Sequence, residues 1–576
     1  MISDLQESLW HLPPGWLMMI GGLLLPLLGK RLAAWGALAL AAISLTLFWN
    51  TPLGVYGSLD LFGLTLDPVR IDRFSFLFGL VFHLAAVMSA IYALHVTDVK
   101  QHVAGMIYAG GAIAAACAGD LVTLFVFWEL TAISSVFLIW ARNTERSYRS
   151  GMRYLIIQVT SGVLLLSGAV IRYVETGSLA FGTSDAFGVI GTDSLAGILI
   201  LLAFGIKCAF PLLHNWLQDS YPEATATGTV FLSAFTTKLA VYSIARGFAG
   251  TESLIWIGTA MTLFPILFAV IENDLRRVLA YSLNNQLGFM VVGIGIGTEL
   301  SLNGTAAHAF CHIIYKALLF MSMGAVLHRV GTTRATELGG LYKSMPWTTV
   351  FCIIGAGSIA GFPLLSGFIS KSMIITAAAE QHDLLVWILL LVASAGVMEH
   401  SGIKIPFFAF FAHDSGKRVK EAPWNMLLAM ALASACCIGL GIGFVWLYRM
   451  LPFAVHYEPY TAAHVITQLQ LLLFAALAFV VLMKTGLYPA EVRAINLDTD
   501  WVYRRLLPRL IEGCGRVVRG LDQRIRQAAL GLVRLVLVQA RESFDERGLL
   551  GRTWTTGAMA VWATLILGLC LALYYL

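Results

Sequence analysis

The sequence predicts an all-α polytopic membrane protein, because long apolar runs recur along almost its whole length. Of its 576 residues, 58% are hydrophobic and only 12% are charged, and the mean hydropathy is +0.78. A helix of about twenty apolar residues spans a bilayer, which predicts about sixteen transmembrane helices if two segments broken by Gly or Pro are each counted once. They are expected near residues 16–29, 32–49, 74–94, 103–118, 120–141, 152–173, 195–217, 226–248, 254–271, 277–298, 303–328, 346–380, 384–411, 424–447, 465–484 and 556–575.

The amino-terminal stretch lacks the features of a signal peptide. MISDLQESLWHLPPGW contains no basic region followed by a short apolar core and a small-residue cleavage site. The segment WLMMIGGLLLPLLG is therefore predicted to be a retained first span. The eight cysteines lie mostly inside apolar runs and form no CxxC pattern, so they are interpreted as small core residues. No cofactor and no metal ion is predicted.

Basic residues in alternate loops predict the orientation of the spans. They are concentrated in one set of loops, namely Lys30, Arg31, Lys100, Arg142, Arg146, Arg149, Arg153, Arg276, Arg277, Arg329, Arg334, Lys343, Lys417, Arg418 and Lys420. Loops 175–193 and 297–304 of the opposite set contain neither Lys nor Arg. This pattern predicts that both termini lie on the non-cytoplasmic side, and the small net charge of +5 indicates membrane orientation rather than nucleic-acid binding.

Residues 485–554 differ in composition from the rest of the chain and are predicted to be cytoplasmic. Apolar residues fall near one face of a predicted helix, at Leu521, Ile525, Ala528, Leu532 and Val536. Basic residues lie largely elsewhere, at Arg524, Arg526, Arg534 and Arg541. A basic amphipathic helix over residues 504–546 suits the membrane interface, with breaks expected near Pro508, Gly513 and Gly515. A soluble linker helix is the alternative.

Two broken apolar segments resemble each other. AFPLLHNW at 209–216 and GFPLLSGF at 361–368 both place Pro in an apolar run, with Lys207 before the first and Lys371 after the second. Paired interrupted segments indicate a transport site built from inverted repeats. Chance similarity of four residues is the alternative.

Ionisable residues inside the predicted spans are too numerous to be accidental, since a charge near the bilayer centre costs at least ~2.5 kcal/mol. We call the main set the charged file, and it consists of Glu129, Lys207, Lys238, His308, His312, Lys316 and Lys371. His308, His312 and Lys316 recur every four residues, so they form one stripe on a helix that suits proton transfer. A second set, expected to serve exit or modulation, contains His214, Glu399, His400 and Lys404.

Simpler structural roles are the alternatives for these side chains. Lys238 and Lys404 would snorkel to the membrane interface, whereas Lys207 and Lys371 would be held by carbonyl groups freed at the helix breaks. His308 would be a hydrogen-bonded core histidine, and His214 would tether the first broken helix. In the functional interpretation, Glu129 and Lys207 form an electrostatic switch in which the carboxylate controls whether the lysine keeps its proton.

Several blocks together resemble the proton-conducting antiporter family. They are DLVTLFVFWEL (120–130), GIKCAFPLLHNWL (205–217), FLSAFTTKLAVYSIAR (231–246), DLRRVLAYSLNNQLGFM (274–290), HAFCHIIYKALLF (308–320) and GFPLLSGFISK (361–371). The family includes the D and A subunits of Mrp-type cation/proton antiporters and the antiporter-like L, M and N subunits of respiratory complex I. The order of the blocks also matches.

The resemblance implies two inverted five-helix repeats, each with a broken helix, around a hydrated file of charged groups. Glu129 matches the fifth-helix glutamate, Lys207 the lysine of the first broken helix and Lys238 the eighth-helix connector. His308 and His312 match the second-half histidines, and Lys371 the terminal lysine of the second broken helix. The expected divisions are 1–100 (N-terminal helices), 101–250 and 251–411 (the repeats), 412–484 (additional helices), 485–554 (the lateral helix) and 555–576 (the final helix).

The sequence departs from the family pattern in two segments, QDSYPEATATGTV at 218–230 and the charge-rich VMEHSGIKIPFFAFF at 397–411. The resemblance implies a D-type, proton-translocating subunit of a multisubunit Na⁺/H⁺ antiporter in the bacterial cytoplasmic (inner) membrane. Its partners would be other membrane subunits, membrane lipid, protons and Na⁺ or K⁺, without nucleic acid. Open alternatives are an antiporter-like subunit of a complex I-type NADH-quinone oxidoreductase, an accessory module for carbon dioxide or bicarbonate uptake, and a scaffold that no longer transports.

Overall fold

A computed structural model describes residues 10–61, 63–182, 187–381, 383–493, 496–545, 547–548 and 550–576. The chain forms two compact units, one ending at Asn496 and the other beginning at Leu497. The predicted end of the lateral helix at Glu546 lies outside the described residues.

The first unit is built from helices. Their bounds are α1 (Trp16–Leu24), α2 (Gly29–Trp49), α3 (Arg73–Tyr92), α4 (Val99–Ala116), α5 (Leu121–Trp140), α6 (Glu145–Thr176), α7 (Leu195–Cys208), α8 (Asn215–Ser220), α9 (Ala226–Ala234), α10 (Thr236–Phe248), α11 (Ser253–Ile271), α12 (Leu275–Ile296), α13 (Glu299–Val330), α14 (Pro346–Ala360), α15 (Ser366–Glu380), α16 (Leu384–Val397), α17 (Trp424–Ile442), α18 (Phe444–Tyr448) and α19 (Ala462–Thr485). Beyond α16 the chain continues as π-helical segments Met398–Ile403 and Phe407–Phe411 on either side of Lys404–Pro406.

Among the described residues, eleven helical segments are long and apolar enough to cross a membrane, and α7 and α14 are shorter apolar helices. These findings confirm a polytopic helical membrane protein, while the number sixteen stays a prediction. The first apolar segment, Trp16–Trp49, is folded back on itself. Gly21 lies against Leu40 and Gly36 against Leu25, so α1 and α2 form an antiparallel pair around the 3₁₀ turn Leu25–Leu28.

Four three-residue strands were not predicted. They are β1 (Gly54–Tyr56), β2 (Leu59–Leu61), β3 (Leu64–Leu66) and β4 (Val69–Ile71). β1 pairs antiparallel with β4 and β2 with β3, with Val55 opposite Arg70 and Asp60 opposite Thr65. The alternation of apolar and polar residues in LDL (59–61) and LTL (64–66) is a strand signal that the prediction of helices overlooked.

The helices α4–α10 and α11–α16 follow the same plan. Both halves contain a 32-residue third helix, α6 in one and α13 in the other. The second helix of each half begins after an aspartate that forms an isolated bridge, Asp120 with Ala180 and Asp274 with Arg334. Equivalent hydrogen bonds follow, from Leu121 N to Leu179 O at 2.9 Å and from Leu275 N to Thr333 O at 3.0 Å. If the first half crosses the membrane five times, it ends on the opposite side from where it began. The second half is then expected to start from that opposite side, so the two halves have inverted orientations.

A buried ion pair joins the start of α3 to α10. Asp72 caps α3 by accepting a hydrogen bond from Ser75 N at 2.9 Å, and both oxygens of its carboxylate contact the Arg246 guanidinium. Arg246 is fully buried among Phe74, Phe187 and Tyr242. This pair therefore fixes the amino-terminal helices to the last helix of the first repeat.

The second unit consists of α20 (Leu507–Phe544), preceded by a π-helical segment Val502–Leu506, and α21 (Thr556–Tyr575). The predicted breaks within the lateral helix were wrong. Pro508 lies in the first turn, where its missing N–H group has no intrahelical partner to lose, and the helix runs through Gly513 and Gly515 without interruption.

Candidate functional site

The first broken helix presents Lys207 at its break. Helix α7 ends at Cys208, and Ala209 and Leu212 then take positive φ angles of 62° and 71° before α8 begins. Lys207 is fully buried, and its ammonium donates to Trp128 O at 2.6 Å and to Thr131 Oγ1 at 3.2 Å. It also lies 4.3 Å from the centroid of the Trp128 ring. The cation is therefore held by α5 rather than by the carbonyl groups at its own helix break.

The second broken helix repeats this backbone geometry. Gly361 and Leu364 have φ angles of 81° and 72°, and Phe362 N donates to Gly357 O at 2.9 Å, as Phe210 N donates to Gly205 O at 2.9 Å. The echo between AFPLLHNW and GFPLLSGF is therefore a structural equivalence. The two lysines differ in position and partner. Lys207 precedes its break, whereas Lys371 follows its break, in α15, and its ammonium donates to Ile359 O in α14 at 2.9 Å.

Glu129 faces α6 from the middle of α5. Its carboxylate lies where a side chain at Gly162 would be, since an added Cβ there would come within 1.5 Å of Glu129 Oε1. This oxygen is buried and has no hydrogen-bond partner among the described residues. Glu129 is also within electrostatic range of Lys207, whose ammonium is occupied by α5 acceptors. The two groups are thus coupled through space without forming a close ion pair.

The substitution Gly162→Ala changes no charge, but its new methyl group must displace the Glu129 carboxylate. It is therefore expected to lower whatever transport activity depends on the position of that carboxylate. Alanine otherwise favours a helix by about 1 kcal/mol over glycine, so a loss of activity with unchanged or raised thermal stability would identify the displaced carboxylate as the cause. Gly439→Ala is the control, since its Cβ would meet nothing within 4 Å. Equal activities of the two variants would contradict this role for the Glu129 position.

Lys238 lies beside a second kind of break. Helices α9 and α10 are separated by Phe235, which frees carbonyl groups, and Lys238 Nζ donates to Ser233 O at 2.6 Å. Lys238 is fully buried, so it does not snorkel to the interface. Its ammonium is within electrostatic range of Lys316 and His312 on α13. Lys238 therefore connects the first repeat to the second.

The stripe on α13 contains the polar atoms with the fewest partners. His308 contacts Ser370 Oγ at 3.1 Å through Nδ1 and Tyr315 Oη at 3.4 Å through Nε2. Both ring nitrogens of His312 and the ammonium of Lys316 are buried and have no hydrogen-bond partner within the described part of the chain. Because buried polar groups are nearly always satisfied by protein or ordered water, these three groups indicate a hydrated interior.

Electrostatic coupling continues along the file. His308 and His312 are within range of Lys371, and His400 is within range of Lys316, Lys371 and Lys404. Cys208, which follows Lys207 in the chain, is within range of Lys238. The structure therefore groups Glu129 with Lys207 in the first repeat, and Lys238 with His308, His312, Lys316, Lys371, His400 and Lys404 around the second.

The charge-rich segment 397–411 belongs to this second group. The π-helical turns aim His400 inward, where its Nδ1 contacts Ser401 Oγ at 2.8 Å. Lys404 is fully buried, against the expectation for a snorkelling side chain, and donates to the carbonyl groups of Val270 at 2.6 Å and Glu272 at 2.8 Å. Glu399 is within electrostatic range of Lys404. π-Helical turns occur frequently at functional sites, and this one was not visible in the sequence.

His214 begins the second half of the first broken helix, and its ring lies 4.5 Å from that of Phe264 on α11. Sequence reasoning missed three buried amides, Gln158, Gln218 and Asn284, whose side-chain oxygen and nitrogen atoms have no partner among the residues described. Gln158 and Asn284 were visible as polar residues inside apolar runs, and both suit the binding of ordered water.

No cluster of three or more His, Cys, Asp or Glu side chains among the described residues is arranged to hold a metal ion. What the geometry provides is a series of amines, imidazoles and carboxylates in a low-dielectric interior. Such groups exchange protons readily because each one responds to the charge of its neighbour.

Comparisons with known proteins agree with this geometry. Residues 118–397 match the profile of the family described as NADH:quinone oxidoreductase/Mrp antiporter, transmembrane. The chain is 35% identical over 277 residues to the D subunit of the Na(+)/H(+) antiporter of Alkalihalophilus pseudofirmus, a match that covers 45% of this chain and 55% of that relative. The chain thus spans little more than half the length of this relative.

Two solved structures share the fold. A chain of the Mrp complex from Dietzia sp. DQ12-45-1b superposes with a TM-score of 0.69 at 22% identity, covering 81% of this chain and 99% of that one. A chain of the membrane-bound sulfane sulfur reductase, an archaeal respiratory membrane complex, gives a TM-score of 0.71 at 21% identity over 98% of this chain and 100% of that one. Residues 118–397, just under half of the chain, therefore resemble the NADH:quinone oxidoreductase/Mrp antiporter family.

Proposed function

We propose that the protein is a D-type, proton-translocating subunit of a multisubunit monovalent cation/proton antiporter. The observation that carries this proposal is the series of ionisable groups inside the first unit from Glu129 to Lys404, most of which are fully buried and several of which have polar atoms without protein hydrogen-bond partners within the described chain. Charges are retained in a membrane interior at high cost and mark ion and proton pathways. Similarity to the D-type component of a Na(+)/H(+) antiporter supports the choice of transport process.

In this proposal a proton moves along Lys207, Lys238, Lys316, His312, His308 and Lys371, with water filling the gaps between them. Glu129 controls the charge on Lys207 through space, because moving or neutralising the carboxylate changes the energy of the nearby ammonium. His400, Lys404 and Glu399 serve one end of the route. The divisions at residues 100, 250, 411, 484 and 554 and the role of His214 belong to the same proposal.

The proposed location is the bacterial cytoplasmic membrane, with both termini on the non-cytoplasmic side. The support is the concentration of Lys and Arg in one set of loops. The amphipathic α20 would then lie at the cytoplasmic interface. Other membrane subunits and lipid would complete the assembly, and Na⁺ or K⁺ would be exchanged for protons.

A respiratory role is the second candidate, because the matched family includes NADH:quinone oxidoreductase as well as Mrp antiporter proteins. The same file would then be driven by electron transfer in partner subunits. Purifying the chain from its native membrane in mild detergent and identifying its partners by mass spectrometry separates the two. Small hydrophobic antiporter-type subunits support the first function, and flavin or iron–sulfur subunits support the second.

Proton flux driven by a membrane potential, measured in proteoliposomes that contain the intact complex, tests the proposal directly. Glu129→Gln and Lys207→Ala are each expected to lower the flux, for Lys207→Ala on the order of a hundredfold, because a positioned proton-transfer group contributes about that much. Glu458→Gln and Lys420→Ala change exposed residues of the same types and serve as controls. Unchanged flux in both Glu129→Gln and Lys207→Ala would rule out this assignment.

A further inference from the structure

We infer that Glu491, outside the membrane-spanning helices, is the group through which protons from the Lys/Arg-rich side reach the charged file, with Lys404 as the next carrier. This inference rests on the proposed proton transport and assigns its uptake point. Glu491 lies in the connection after α19, a polar stretch outside the blocks that resemble the antiporter family.

The first support is a buried contact. Lys404 Nζ lies 2.8 Å from Glu491 Oε1, and the two side chains are 0% and 8% exposed. Lys404 also donates to carbonyl groups at the end of α11, those of Ala269 at 3.1 Å, Val270 at 2.6 Å and Glu272 at 2.8 Å. An ammonium group has three protons for these four acceptors. The carboxylate is therefore the partner that can release Lys404 without breaking its support by the helix end.

The second support is a cavity. A space of about 350 Å³ is lined by Glu491, Tyr488, His413, Phe408, Met483 and Thr336. His413 and Thr336 lie in loops of the set that carries Lys343, Lys417 and Arg418. Glu491 thus stands between this cavity and Lys404. Lys404 lies within electrostatic range of His400, which in turn is within range of Lys316 and Lys371 of the charged file.

The surrounding charges leave Glu491 as the carboxylate suited to proton uptake. Glu272 is nearby, but its Oε1 accepts the backbone N–H groups of Asn273 and Asp274, while its Oε2 faces Asn496 at 3.2 Å and Arg277 at 3.9 Å. Both carboxylate oxygens of Glu272 are therefore occupied by other partners. Glu399 is also within electrostatic range of Lys404, and Tyr488 is within range of Glu491 and Glu399.

The proton step is balanced without any other reactant. A hydronium ion in the cavity gives a proton to the Glu491 carboxylate and becomes water, and the carboxylic acid then gives a proton to the neutral amine of Lys404, which leaves a carboxylate and an ammonium. Lys404 passes the proton onward through His400 and returns to the amine. Burial raises the pKa of the Glu491 carboxyl above that of an ordinary glutamate, so it takes up a proton at a higher pH than an exposed glutamate does.

Inside-out membrane vesicles that contain the intact complex test this inference by chemical rescue. Glu491→Ala is expected to lower potential-driven proton flux at least tenfold, and formate added outside is expected to restore much of it, because a small acid fits the space left by the side chain. Glu491→Asp is expected to retain part of the flux. Adding formate to vesicles with the Lys207→Ala variant measures how much formate alone carries protons across the membrane, independently of the Glu491 site.

Arg493→Gln is the matched control, because it removes a surface ion pair with Glu337 from the same segment and is expected to leave the flux unchanged. Absence of flux in the unmodified complex would overturn the proposed function itself. Normal flux in Glu491→Ala, or low flux that neither formate nor Glu491→Asp restores, would overturn only the role of Glu491. Glu491→Gln keeps the size of the side chain and is expected to lower the flux without rescue by formate, and normal flux in this variant would equally overturn the role of Glu491.

Discussion

Lys316→Met is expected to reduce proton flux on the order of a hundredfold, the usual contribution of a positioned proton-transfer group, and at the same time to keep or raise the thermal stability of the protein. Lys316 is fully buried, and its ammonium has no hydrogen-bond partner among the described residues. Burying such a group costs free energy, and an apolar side chain of similar length removes that cost. The opposite signs of the two effects distinguish a functional lysine from a structural one.

Flux in proteoliposomes and the melting temperature in detergent are the two measurements for Lys316→Met. Lys420→Met, at an exposed loop position, is the control and is expected to change neither quantity. A variant that loses stability but keeps its flux would show that Lys316 is held by contacts within the fold and carries no protons.

Arg246→Met is expected to destabilise the protein by about 3 kcal/mol, because it removes the guanidinium that contacts both oxygens of the buried Asp72 carboxylate and leaves the more distant Arg70, at 3.6 Å, as its cation. Arg246 is fully buried and Asp72 is 7% exposed. Asp72→Asn is expected to cost a similar amount, although asparagine still caps α3. Thermal or denaturant unfolding in detergent measures both changes.

The double variant Asp72→Asn, Arg246→Met tests whether the two residues act as a pair. Its destabilisation is expected to be clearly smaller than the sum of the single effects, since the interaction between Asp72 and Arg246 is lost only once. Arg149→Met removes an exposed partner of Glu145 and is expected to change stability by no more than about 0.5 kcal/mol. Additive single effects would show that Asp72 and Arg246 stabilise the fold independently.

The candidate site was visible in the sequence to the extent that it consists of charges in apolar surroundings. Lys207, His312 and Lys371 stand out because ionisable side chains rarely occur within transmembrane helices. The similarity between residues 209–216 and 361–368 indicates the repeat. Glu491 was not visible in this way, because a glutamate in a polar connecting segment looks like any solvated loop residue. Its burial depends on contacts with α11 and the segment after α16.

The amino-acid sequence by itself determined the class of the molecule and the approximate positions of its apolar helices, because the bilayer requires about twenty apolar residues per helix and this requirement is local. It also determined where the broken helices lie, since Pro and Gly act within a few residues of their own position. Only the tertiary structure decided which charges meet. Lys238 reaches α13, Glu129 faces Gly162, and Lys404 meets Glu491 because packing between distant helices sets these distances, and no local pattern encodes them.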